Sequence, residues 1–75
     1  MFETLKAILV EELQLDANEI TMESSLSGDL GINSLELADL VYVCEEKFNI
    51  EIEDEDLHNF TTVGDVVRYL ENNVN

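Results

Sequence analysis

Ser34 is the residue of this chain best placed to carry chemistry. It opens a helical apolar stripe: Leu37, Leu40, Val41, Cys44 and Phe48 stand at i, i+3, i+4, i+7 and i+11. That spacing predicts a helix from Ser34 to about Phe48. Asn33 is a good N-cap residue, and Glu36 falls three places later, in capping-box position. The first N–H groups of a helix have no intrahelical acceptor, and the dipole there is positive. A phosphate ester on Ser34 would therefore be electrostatically favoured. The preceding loop, with Gly28 and Gly31, would let an enzyme reach the hydroxyl. Position alone also fits a serine that only caps a helix or faces water. Ser24, Ser25 and Ser27 read as ordinary loop serines by the same standard.

The other reactive side chains point away from catalysis. Cys44 lies on the apolar stripe and reads as a small buried hydrophobe. As the single cysteine it cannot form an internal disulfide, which is compatible with a reducing compartment. His58 is the one histidine and is expected to face solvent. No cysteine and histidine stand close in sequence, so neither a zinc site nor a thiol nucleophile is suggested. A serine hydrolase would need a base near Ser34, and none is evident. Glu51 to Asp56 carries five acids in six positions, read first as a solvated turn and second as a weak divalent-cation contact. It lacks the spaced oxygen ligands and central glycine of an EF-hand. No catalytic residue and no metal ligand is assigned.

Three further segments must position Ser34. Phe2, Leu5, Ile8, Leu9 and Leu13 form a helical stripe, predicting a helix from about Phe2 to Leu15. Residues 16 to 33 form a long connection in which Ile20, Met22, Leu26, Leu30 and Ile32 follow no clean period. Such a loop is expected to be pinned to the core and functional. Asn49 is a plausible stop for the central helix, Ile50 to Ile52 reads as extended, and a short acidic helix is expected at about Asp54 to Asn59. Thr62 and Asp65 resemble a capping box for a last helix bearing Val63, Val66, Val67, Leu70 and Val74. The expected fold is all-α, a small bundle of three main helices and one short helix, in one domain over residues 1–75.

The totals narrow the function. With 75 residues the chain can bury a limited core and cannot easily enclose its own acid, base and substrate cleft. A hydrophobic content of 45% sets aside a disordered acidic tail. Eighteen acids against Lys6, Lys47 and Arg68 leave a net charge of −15. Nucleic acid and anionic lipid would be repelled, whereas basic protein partners would be steered in. The N-terminus lacks the basic region and apolar core of a signal peptide, and no apolar run reaches membrane-spanning length. A cytoplasmic protein without a membrane or nucleic-acid partner is expected, as a monomer.

The stretch Asp29-Leu30-Gly31-Ile32-Asn33-Ser34-Leu35-Glu36-Leu37 resembles the acyl carrier protein signature, D-L-G-x-D-S-L-E/D. Glu45-Glu46-Lys47-Phe48-Asn49-Ile50-Glu51-Ile52 is similar to the family's E-E-x-F-x-I-x-I run. Asp54-Glu55-Asp56 resembles its D-E-D turn, and Thr62-Val63-Gly64-Asp65 its T-V-G-D helix start. The motifs cover the whole chain in order. The resemblance implies a carrier rather than an enzyme. A phosphopantetheinyl transferase would move 4′-phosphopantetheine from coenzyme A to Ser34. Acyl intermediates would then ride as thioesters between enzymes of fatty acid or related biosynthesis. Two departures stand out. Asn33 replaces the family's usual Asp, which keeps the capping oxygen and removes a charge that an enzyme could read. Glu53 stands where a Pro is frequent, which softens the turn.

At 100° per residue the core side of the central helix lies roughly opposite Leu35, Asp39, Tyr42 and Glu46. Two large apolar residues among acids suggest a docking face, where charge steers and the apolar pair anchors. Family members dock through this helix with basic patches on their enzymes. With the first-turn acid and the D-E-D turn included, the expected partner residues are Leu35, Glu36, Asp39, Tyr42, Glu46 and Asp54. The arm is expected to lie along the surface or to tuck its cargo among Leu9, Leu40, Val41, Phe48, Val66 and Leu70. Two alternatives stand beside this reading: a specialised polyketide, peptide or aminoacyl carrier, and an acidic helical adaptor that is never modified.

Overall fold

The computed structural model describes residues 1–74. Four α-helices follow one another: α1 (Phe2–Leu13), α2 (Ser34–Phe48), α3 (Asp54–Leu57) and α4 (Val63–Asn73). A single 3-10 turn, Ala17–Glu19, lies between α1 and α2, and Asp16 caps it by accepting from the Asn18 N–H at 2.9 Å. Among the described residues no strand is present beyond one isolated bridge, Ser25 to Thr62. The all-α arrangement of three longer helices and one short one is as expected.

α1 ends two residues earlier than its apolar stripe suggests. Gln14 turns into the left-handed region at φ 56° and stops the helix, while Leu15 still packs against the core from the following loop. The short acidic helix is likewise trimmed to Asp54–Leu57 and continues as hydrogen-bonded turns, with Asn59 N–H donating to Asp56 O and Phe60 N–H to Leu57 O. At the end of α2, Asn49 adopts φ 54°, the conformation that asparagine tolerates at a helix terminus.

α1 contributes Leu5, Ile8 and Leu9 to the core, α2 contributes Leu40, Val41 and Cys44, and α4 contributes Val63, Val66, Val67 and Leu70. Leu5, Leu9, Leu40 and Leu70 are fully buried, and each is worth about 1.5–3 kcal/mol relative to exposure. Phe48 and Leu37 only flank this cluster. Cys44 is buried as expected. Its surroundings push the thiol up to about 11, mainly by desolvation and secondarily by the charge of Glu45, so it stays a neutral packing group. α3 is held to α4 by the Tyr69 hydroxyl, which donates to Asp56 at 2.9 Å, while the Tyr69 ring meets Phe60 edge-on at 5.3 Å.

The long connection earns its order from the start of α4. Leu26 N–H donates to Thr61 O at 2.9 Å, Val63 N–H to Ser24 O at 3.0 Å and Gly64 N–H to Met22 O at 2.8 Å. Thr62 caps α4 by accepting from Asp65 N–H, and the Asp65 carboxylate accepts in return from Thr61 and Thr62. These backbone bonds, led by Thr62, hold the Asp65 carboxyl below the usual carboxylate range, with Arg68 adding to the effect. Thr62→Ala is expected to destabilise the fold by about 1 kcal/mol, the usual worth of an N-cap, read as a lower urea midpoint with unchanged slope. An unchanged midpoint would mean that the cap adds nothing to this junction.

Candidate functional site

Ser34 is exposed and is the first residue of α2. Its backbone is held from both sides. On the N-terminal side Gly31 takes φ 65°, a conformation that suits glycine, and Ile32 is buried with its N–H donating to Leu26 O at 2.8 Å. On the helical side the capping box is closed. Asn33 Oδ1 accepts from Glu36 N–H at 2.8 Å, and Glu36 Oε1 accepts from Asn33 N–H at 3.1 Å.

The N–H groups of Ser34 and Leu35 lie within this ring and have no acceptor among the described residues. Two free donors beside an exposed hydroxyl, at the positive end of a 15-residue helix, match the needs of a phosphodiester anion. The Ser34 hydroxyl itself makes no hydrogen bond to a described residue, so it is not used up as a cap.

Of the partner residues expected from sequence, Leu35 and Tyr42 are 82% and 61% exposed, the two large apolar residues on the surface. Asp39 and Glu46 are exposed around them, and Asp54 is exposed at the start of α3. None of these three acids bonds to a described residue. Glu36 differs: it is half-buried and its carboxylate is engaged by the cap. His58 is exposed, as expected. Among the described residues no three His, Cys, Asp or Glu side chains gather in a way that could hold a metal ion.

Three contributors to the site escape a reading by residue type. Asp29 and Ser25 form a reciprocal staple, Asp29 accepting from Ser25 N–H at 2.9 Å and donating its own N–H to Ser25 Oγ at 2.8 Å. Ser24 is buried. Its hydroxyl accepts from Thr21 N–H and donates to Glu19 O. These two serines are thus braces of the loop that delivers Ser34, not ordinary loop serines. The spacing Ser25-x-x-x-Asp29 was the available signal, but it is short and common. Of the expected cargo-lining residues, Leu9, Leu40, Val41, Val66 and Leu70 are buried in the core and Phe48 is half-buried beside it, and no pocket opens between the helices among the described residues.

A family model described as a phosphopantetheine attachment site matches residues 3–70. The chain belongs to that family. Proteins similar to it include the acyl carrier protein of Wolinella succinogenes, 48% identical over 73 residues, covering 97% of this chain and 96% of that one. The acyl carrier protein of Helicobacter hepaticus is 50% identical over 72 residues, covering 96% and 95%. A solved structure described as a candidate acyl carrier protein of Mycobacterium tuberculosis superposes with a TM-score of 0.86 at 36% identity, covering 93% of each chain. The protein is accordingly an acyl carrier protein whose cofactor is phosphopantetheine, and its partners include the transferase that attaches it and enzymes that transfer acyl groups. No described helix is long and apolar enough to cross a membrane.

Proposed function

We propose that Ser34 is the attachment residue and that the carrier serves fatty acid or related biosynthesis. The observation that carries this reading is the exposed, unbonded Ser34 hydroxyl beside the free N–H groups of Ser34 and Leu35. Loading removes the Ser34 proton, forms one bond from Oγ to the pantetheine-bearing phosphorus of coenzyme A, and breaks the phosphoanhydride bond as the nucleotide half leaves. The base comes from the transferase, because this chain offers none to the hydroxyl. The free backbone N–H groups then favour the new anion. When bound, the cofactor supplies a terminal thiol that holds acyl chains as thioesters. The chain's own share is to present that arm on a rigid helix start and to offer a face for docking.

That face is Leu35 and Tyr42 with the exposed acids Asp39 and Glu46 on the same side of α2, Asp54 adding negative charge at the start of α3, and it suits enzymes with a basic rim and an apolar centre. A monomeric, cytoplasmic carrier fits the charge of −15, which repels a second copy. A second reading, a specialised polyketide, peptide or aminoacyl carrier, rests on Asn33, since cargo is chosen by the enzymes that read this region.

The test is an incubation with coenzyme A, magnesium and several phosphopantetheinyl transferases, followed by intact mass. A phosphopantetheine-sized gain supports the carrier, and no gain with any transferase favours an unmodified adaptor. Asn33→Asp belongs in the same experiment. Asn and Asp cap almost equally, so stability should move by no more than a few tenths of a kcal/mol. Loading should accelerate with transferases that read the charge. Equal rates across all of them would show that the missing charge is not read.

A further inference from the structure

We propose that Ser25 acts in loading as a positioning residue for Ser34, through its reciprocal pair with Asp29. This rests on Ser34 being the attachment residue.

Gly31 creates the need for such a residue. It is exposed, it turns the chain at φ 65°, and no atom beyond its chain neighbours lies within 4 Å of where a side chain would begin. The direction in which the chain enters Asn33 and Ser34 is therefore set by the residues on either side of this turn. Those are Leu30 and Ile32, both buried. Leu30 N–H donates to Ser25 O at 3.1 Å, and Ile32 N–H donates to Leu26 O at 2.8 Å. Both acceptors belong to Ser25 and the residue after it.

Ser25 is in turn fixed by Asp29. Its N–H donates to Asp29 Oδ2 at 2.9 Å, and its Oγ accepts from Asp29 N–H at 2.8 Å. The two bonds close residues 25–29 into a ring and hold the Ser25 and Leu26 carbonyls where Leu30 and Ile32 reach them. Gly28 is fitted to that ring. Its φ is not left-handed, yet a Cβ there would stand 2.5 Å from Ser25 Oγ. Glycine at this place serves space rather than conformation, since any side chain would drive the hydroxyl off the Asp29 N–H. A hydroxyl that must meet a phosphorus in line loses rate when the backbone carrying it strays, even where binding is unchanged.

The ring can be opened without touching a charge or a docking residue. Ser25→Ala removes the acceptor, and Gly28→Ala displaces it while leaving Ser25 and Asp29 in place. Ser25→Thr keeps the hydroxyl, and Ser27→Ala removes an exposed hydroxyl of the same loop that bonds to no described residue. Loading of each by one transferase is measured over a range of carrier concentrations, with folded fraction checked by circular dichroism. Ser25→Ala and Gly28→Ala are each expected to lower kcat by roughly threefold to tenfold, the worth of one hydrogen bond, with KM for the carrier unchanged. Hydrogen exchange at the Asp29 amide should quicken in both. Ser25→Thr and Ser27→Ala should load like the parent. Parent-like kcat in Ser25→Ala, with its Asp29 amide exchanging faster, would overturn the proposal, because the ring would then be open without consequence for Ser34. A loss carried by KM, or an equal loss in Ser27→Ala, would overturn it as well. If the parent itself is not loaded by any transferase, the attachment reading fails and this one falls with it.

Discussion

Ser34→Ala should take up no phosphopantetheine with any transferase, while folding like the parent. The two halves of that expectation have separate causes. Loading is lost entirely because no other hydroxyl can substitute. Ser24 is buried and its hydroxyl is engaged with Thr21 and Glu19. Ser25 accepts from Asp29, and Thr62 accepts from Asp65. Ser27 is exposed, but it sits within the turns of the loop and not at the start of a helix. Folding is retained because α2 is capped by Asn33 and Glu36, and the Ser34 hydroxyl contributes no bond to that cap. Alanine is also the best helix former, so the exchange should lie within about 0.5 kcal/mol of neutral. The measurement is intact mass after exhaustive loading, paired with a urea melt. A mass gain on Ser34→Ala would move the attachment point elsewhere. A collapsed melt would leave the mass result without meaning and would contradict the capping geometry.

What was legible in the sequence follows from how each feature is encoded. The limits of α2 and the start of α4 are written in side chains, as apolar period plus a reciprocal cap. Asn33 with Glu36 and Thr62 with Asp65 accordingly behave as their spacing suggests. The exposed pair Leu35 and Tyr42 follows from helical geometry once the core stripe is known. The end of α1 is less visible, because Leu15 continues to serve the core after Gln14 has already left the helix. The path of residues 16–33 is least visible. Its apolar residues announce that it is pinned, but the pins are backbone bonds to Thr61, Val63 and Gly64, and a backbone bond leaves almost no trace in residue type. Glu36 shows a different limit. Its position suits both a cap and a docking charge, and only the structure shows where its carboxylate is engaged.

Gly64 is the exception among those pins, and Gly64→Val should be the most damaging single exchange at the junction. Inside an ordinary helix, replacing glycine by alanine adds up to about 1 kcal/mol of stability. Here the sign reverses. A Cβ at Gly64 would stand 2.9 Å from the Met22 carbonyl oxygen, the same atom that accepts the Gly64 N–H at 2.8 Å. That neighbour is backbone, so it can yield only by moving the loop. The guanidinium of Arg68, 3.1 Å away, can swing aside and does not decide the outcome. Moving the loop stretches the bonds from Val63 to Ser24 and from Leu26 to Thr61, and it disturbs Leu26, Leu30 and Ile32 in the core. Overpacking of this kind costs about 1–3 kcal/mol and the lost hydrogen bond about 1 kcal/mol more. Domains of this size hold roughly 4–11 kcal/mol in total, so the Val variant should melt at a clearly lower urea concentration. Gly64→Ala, with one methyl and the helix preference in its favour, should still lose stability, though less. Because Ile32 leads directly into Asn33, both variants should also load Ser34 more slowly while still folded. An alanine variant as stable as the parent would show that the loop yields freely, and the start of α4 would then no longer count as what holds Ser34 in place.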